Sequence, residues 1–310
     1  MKKIFLIAAL FLAVISPVKS QECEIPIRLV LSEEFTNVPE AGSRFLYNSI
    51  ERAGAQCGIL TDLQTTPIIM TARVDVIDKH VVPGPPAQHV YNLGITLFLA
   101  NVNSQQKYAS HYIQVSGVGK SEQKAYMDAF KRIAPGDSQI QSFITTGKRK
   151  IIQYFDSQYA NIIKEASSLA GRQQYDEAIT LLLSVPSCSK GYDQCMQKAE
   201  DIYVKNRDRL NKIILTYAQT AWASSQNAEG AREAASYLVQ IDPESSVYAE
   251  GSALLAEMKK QVRSDIDFEM RQKYKDALAL EKQRLECIRA IGVAYGNNQK
   301  TQTTNLTWLR

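Results

Sequence analysis

The feature that most constrains this chain of 310 residues is a change of hydrophobic period near Ser138. Before it, apolar side chains alternate one by one: Met70, Ala72, Val74 and Val76, then Tyr91, Leu93, Ile95, Leu97 and Leu99. A period of two places successive residues on opposite sides of a pleated strand, so each run predicts a half-buried strand. After it, Ile152, Phe155, Tyr159, Ile162, Ala166 and Leu169 recur at spacings of three and four, the stripe of an amphipathic helix. The switch predicts a sheet module followed by an all-helical one.

Within the first part, Tyr108 to Val115 reads as a third long strand, and "PGPPAQ" and "NVNSQQ" as the turns between strands. A strand from Ile25 to Leu31 and a helix from Ala41 to Cys57 come first, and a helix after Ser121 comes last. The order strand, helix, three antiparallel strands, helix predicts an α+β module over residues 21–137, an antiparallel sheet with both helices on one face.

The stretch "QVSGVGKSEQKAYMDAFKRI" inside this module looks like half of a phosphate-binding loop. A true loop of that kind needs a glycine five positions before Gly119-Lys120-Ser121, so that backbone amides can curl round a phosphate. That position is Gln114, which belongs to the strand alternation. Gly117 and Gly119 are read as turning the chain, with Ser121 capping a helix whose Ala125, Ala129 and Ile133 form a close-packing face.

In the second part, residues 138–172 predict a helix linking the two halves. Residues 173–262 read as degenerate helical-hairpin repeats: "GRQQYDEAITLLLSVP" has the turn and second helix of such a unit. Ala178 and Pro186 recur as Ala235 and Pro243, and Tyr192 as Tyr248. A long helical pattern runs from Ala249 to Ile291, with residues 263–296 as the C-terminal helix and Gly292 and Gly296 ending it. Its apolar stripe requires cover, either by return packing on the Ile152–Leu169 helix or by self-association through residues 265–290. Residues 297–310 read as a β-prone tail whose Trp308 docks on another surface.

The opening "MKKIFLIAALFLAVISPVKSQEC" has the basic, apolar and small-residue regions of an export leader, cleaved after Ser20. The apolar run is shorter than the ~20 residues a spanning helix needs, and no lipid-attachment motif precedes Cys23, so no direct membrane anchor is expected. Loss of Lys2, Lys3 and Lys19 with the leader leaves a nearly neutral chain, which argues against a nucleic-acid partner. Five cysteines in an exported chain predict two disulfides, Cys23 with Cys57 and Cys188 with Cys195, leaving Cys287 free.

Nothing in the motif inventory predicts an enzyme, a cofactor or a bound metal. There is no nucleophile elbow, no H-E-x-x-H and no C-x-x-C. His80 and His89 flank the proline turn as a conceivable two-ligand pair, but histidines at strand ends are commoner than metal sites. Adjacent Glu33 and Glu34 point to opposite sides of an extended chain and form no acid–base pair. A hydrolase would need His111 beside a carboxylate in a pocket.

The "SGVGKSEQKAYMDAFKRI" transition and the "RFLYNSIERAGAQCGI" helix resemble a group of cell-envelope proteins. It includes penicillin-binding-protein activators, curli secretion-channel subunits and flagellar-ring assembly lipoproteins. The whole chain, through "YDEAITLLLSVP", "QIDPES" and "IGVAYGNNQ", resembles secreted envelope proteins of Bacteroidetes-type bacteria, and its helical half resembles tetratricopeptide hairpins. The resemblance implies a non-catalytic periplasmic adaptor that binds an envelope protein or peptide. The alternative is a cell-wall or carbohydrate-binding protein using Tyr91, Tyr108, Tyr112 and Trp222 as exposed rings.

Overall fold

The computed structural model describes residues 25–32, 38, 40–55, 57, 66–134, 136–262, 277–298 and 306–309. The leader, Cys23, Glu33, Glu34 and the stretch joining residues 262 and 277 lie outside them. The sheet comprises β1 (Arg28–Leu29), β2 (Ile68–Val82), β3 (Gln88–Asn101) and β4 (Gln106–Gly119), in that spatial order. α1 (Glu40–Ala55) is the crossover between β1 and β2, which pair in parallel with Arg28 opposite Ile69. The sheet is therefore mixed at one edge, because two strands joined through a helix on one face return in the same direction. The other ladders are antiparallel, with Leu97 opposite both Ala72 and His111.

Both pleat faces of the sheet are used. Met70, Ala72, Val74, Leu93, Ile95, Leu97 and Leu99 point into the core under α1, α2 (Glu122–Lys131) and α3 (Ser138–Gly171). Serine and aspartate caps start the latter two helices. Ser121 Oγ accepts from Lys124 N at 3.3 Å, and Asp137 Oδ1 accepts from Gln139 N at 2.7 Å. On the opposite face, Ile69, Phe98 and Ala100 are covered by residues 306–309, where Leu306 precedes and Leu309 ends a single 3-10 turn (Thr307–Leu309) and both bury against them with Trp308 alongside. The described part of the tail docks as expected, with residues 307–309 in a 3-10 turn rather than a strand.

α3 belongs to two layers. Its first half places Ile140, Phe143, Ile144 and Ile151 with the sheet core; its second places Phe155, Ile162, Ala166 and Leu169 against α4 (Tyr175–Leu183) and α5 (Tyr192–Ser224), all in one continuous core. α5 is shared in the same manner. Cys195, Ala199 and Ile202 face that core, while Leu215, Ala218 and Trp222 build a second one with α6 (Ala228–Leu238) and α7 (Tyr248–Val262). Each long helix thus buries its two ends against different neighbours, which is how stacked hairpins cover faces that none could bury alone.

The turns after α4 and α6 are built alike. Ser189 N donates to Pro186 O at 2.9 Å and Tyr192 N to Ser189 O at 3.1 Å; Ser245 N donates to Asp242 O at 2.9 Å and Tyr248 N to Ser245 O at 3.2 Å. This matching pairs Ser189 with Ser245, and Leu182 and Val185 with Leu238 and Ile241. It sits one residue away from the match of Pro186 with Pro243, since backbone hydrogen bonds rather than the proline set the register.

α8 (Ala277–Asn298) returns to the first hairpin, packing on α4 and more lightly on α5, with Ile288 fully buried. It continues through Gly292 and Gly296 instead of ending there. A Cβ on Gly292 would meet Leu183 Cδ1, so that glycine serves close helix approach.

Candidate functional site

The half-phosphate-loop resolves into strand–helix packing. Gly117 and Gly119 lie within β4 rather than in a turn, and a Cβ on either would run into the backbone of α2 around Ala125. Lys120 is exposed. The Val118 N–H donates to Asp128 Oδ2 at 3.1 Å, and Arg132 Nη2 lies 3.3 Å from the same oxygen. Chiefly that N–H holds the Asp128 carboxyl below the usual carboxylate range, against burial, which works to raise it, and with further help from Arg132. No amide cradle for a phosphate is assembled here.

The cysteine pairings are corrected. Cys57, Cys195 and Cys287 are free thiols, so neither Cys23–Cys57 nor Cys188–Cys195 is formed. Cys195 points from the first turn of α5 into the core and is 0% exposed, whereas Cys188 sits on the exposed turn before it. Facing opposite ways, they cannot meet. Burial pushes the Cys195 thiol up to about 11, and also raises Cys57, whose carbonyl accepts from Lys148 Nζ at 2.8 Å. Cys188 itself is disulfide-bonded. Cys287, on α8, is half-buried beside Tyr203; burial first, and the Cys287 contact second, push the Tyr203 hydroxyl up to about 12.

His80 stands opposite Val90 and His89 opposite Val81, so the two imidazoles belong to opposite pleat faces and cannot share a metal. His80 Nδ1 instead lies 3.1 Å from Asp78 Oδ2. Among the described residues no group of three or more His, Cys, Asp or Glu is placed to hold a metal ion. His111 stacks on Phe143 at 5.9 Å and lines a cleft of about 500 Å³ between β4 and α3. The cleft's other polar groups are Ser110, Ser138, Gln139, Ser142, Thr146 and Lys150, with no carboxylate among its described lining.

Of the four rings proposed to meet sugars, Tyr91, Tyr108 and Trp222 are 5%, 4% and 4% exposed. Tyr91 packs on Tyr126 at 5.0 Å and Tyr108 on Tyr154 at 5.5 Å. Tyr112 alone of the four is exposed, which removes the clustered platform that sugar stacking requires.

Two features were not found from sequence. The first is a clamp: Arg284 of α8 reaches Glu200 of α5 and Glu244 of the α6–α7 turn, each at 2.9 Å, and so ties the returning helix to both hairpins. The second is an arm. Although the apolar alternation stops at Val76, β2 runs on to Val82 through a bulge between Val76 and Asp78, paired with β3 throughout. From Asp75 to Val82 every residue of β2 is exposed, Val76, Ile77, Val81 and Val82 included. Among the described residues no helix is long and apolar enough to cross a membrane.

No protein-family model matches the chain, nor does any curated protein. Among solved structures it is similar to a minor lipoprotein from Acinetobacter baumannii, at 10% identity and a TM-score of 0.26, over 40% of this chain and 94% of that one. A likeness this slight leaves the function to be read from the chain's own surfaces.

Proposed function

We propose that this chain is a non-catalytic adaptor of the cell envelope, exported by its leader, which grips another envelope protein through the β2–β3 arm. The observation that carries the reading is the distal half of β2. Four aliphatic side chains, 40% to 54% exposed, stand on this half of β2, where every residue of the strand is exposed although β3 beside it buries Tyr91 and Leu93. Val118 on β4, 45% exposed, adds to the outer face. Solvated aliphatics concentrated on one element mark a contact surface, since burying each contributes roughly 1.5–3 kcal/mol. The helical half supports the arm rigidly, because α3 is common to the sheet core and the hairpin core.

The experiment is affinity capture of the tagged chain from the envelope fraction of its own host, comparing wild type with an Ile77→Asp, Val81→Asp double variant. The variant should lose a captured envelope protein while keeping its thermal midpoint. Identical captures by the two chains would refute the arm as the contact.

A further inference from the structure

Among the described residues the sheet has two open edges, and they are treated differently. Beyond the two residues of β1, the free edge of β2 carries Arg73, Asp75, Asp78 and Lys79 and a bulge, the devices that keep an edge from recruiting another strand. β4 has none of these from Tyr108 to Gly119: its register with β3 is unbroken from Ala109 to Gly119, and the stretch holds no Asp, Glu, Lys or Arg. The direction of its backbone groups follows from one hydrogen bond. Val118 N points away from β3, because it donates to Asp128 at 3.1 Å. In a regular antiparallel strand alternate residues share that direction, so Ser110, Tyr112, Gln114 and Ser116 also turn their N–H and C=O outward. All four are exposed, and among the described residues no backbone hydrogen bond outside the β3 ladder reaches them.

Beside this edge runs a shelf. Ser138, Ser142, Thr146 and Lys150 lie four residues apart on α3, forming one ridge of small polar side chains that ends in a cation. With Ser110 and His111 of β4 they bound the 500 Å³ cleft, so strand edge and helix ridge form the two walls of one groove.

The geometry points to the β4–α3 groove as a docking site for an extended peptide of a partner protein, which adds to the sheet as a further strand and directs an acidic side chain toward Lys150. The backbone supplies the pairing: outward groups at alternate residues fit one strand at the usual spacing of about 4.8 Å. The cleft supplies selectivity. Its described lining holds Lys150 and His111 and no carboxylate, so an Asp or Glu of the peptide has a partner there and a Lys or Arg does not. This inference rests on the adaptor reading only in requiring a protein partner, since the groove and the arm are separate surfaces.

The test uses the mature full-length chain and a phage-displayed library of random twelve-residue peptides. Selected peptides should be rich in β-branched residues and carry an Asp or Glu. When a synthesised binder is added, the amides of Tyr112, Gln114 and Ser116 should exchange at least about tenfold more slowly, while those of Ile113 and Val115, already bonded to β3, should not change. Lys150→Glu should weaken binding by roughly tenfold or more. Gln114→Pro should abolish it, because proline removes an outward N–H that the fold itself does not use. Methylating alternate backbone nitrogens of the peptide should abolish binding to the unaltered chain as well, which covers the case of a Gln114→Pro chain that misfolds. The proposal is overturned if no binder emerges, or if binders leave the edge amides unaffected. It is overturned equally if those amides are already protected in the chain alone, which would mean that its own segment or a second copy fills the edge. Binders unaffected by Ile77→Asp, Val81→Asp would separate the groove from the arm, so either reading can fail without the other.

Discussion

Asp156 of α3 accepts a hydrogen bond from the backbone N of Lys190 at 2.8 Å, and with Ser189 Oγ at 2.9 Å it fixes the turn between α4 and α5. The next hairpin repeats the device: Asp208 of α5 accepts from Ser246 N at 3.3 Å, one position past the matched serine. A carboxylate on each long helix therefore holds the turn that leads out of the following short helix. Asp156→Ala should cost about 2 kcal/mol, since it removes two bonds to a charged acceptor, and Asp208→Ala about 1 kcal/mol. Urea unfolding of both variants checks the order, and equal midpoints would remove Asp156 from the turn.

Arg284 is the clamp of the returning helix. Replacing it with Ala leaves Glu200 and Glu244 without their shared cation, and should speed exchange at α8 amides with a loss of about 1–3 kcal/mol. Ile288→Ala, emptying a fully buried site, should cost about 2–4 kcal/mol in a chain of unchanged mass. Light scattering that shows a dimer converted to monomer by Ile288→Ala would instead place the α8 stripe between two copies.

The sheet was legible where burial imposes alternation, as in β3 and the first half of β2. It was not legible where pairing alone holds the strand: Asp78, Lys79 and His80 break the apolar pattern, yet β3 keeps them in the ladder. Glycines were identified as significant, but their role was misread. Gly117, Gly119 and Gly292 serve close packing of neighbouring elements, which a turn rule does not anticipate. A pairing read from sequence takes no account of which way each thiol faces, and Cys195 turns inward. The groove was hidden for a different reason: whether β4 is central or at an edge depends on strand order, which no local pattern encodes.

Peptide mapping without reduction should find Cys188 in a disulfide that includes neither Cys57, Cys195 nor Cys287, and of those three thiols the fully buried Cys195 should be the slowest to alkylate before unfolding. A Cys188–Cys195 peptide would reverse the correction.

Asp128 gives a pH dependence with a definite sign. Its folded pKa is lowered, so the bond to Val118 N contributes stability above the ordinary carboxylate range near 3.8 and is lost as pH falls through the lower folded value. Thermal midpoints of wild type and Asp128→Asn should therefore differ at pH 7 and converge as the pH is lowered through the depressed folded value. A constant difference across that range would show that the carboxylate charge is irrelevant to the strand end.

The most direct measurement of the adaptor account is site-specific photocrosslinking in the native host, with a photoreactive side chain placed at Val81 on the arm or at Glu229 on the far helical end. The account predicts an adduct of the Val81 probe with one discrete envelope protein and none from Glu229. No adduct at Val81, or the same pattern from both positions, would contradict it.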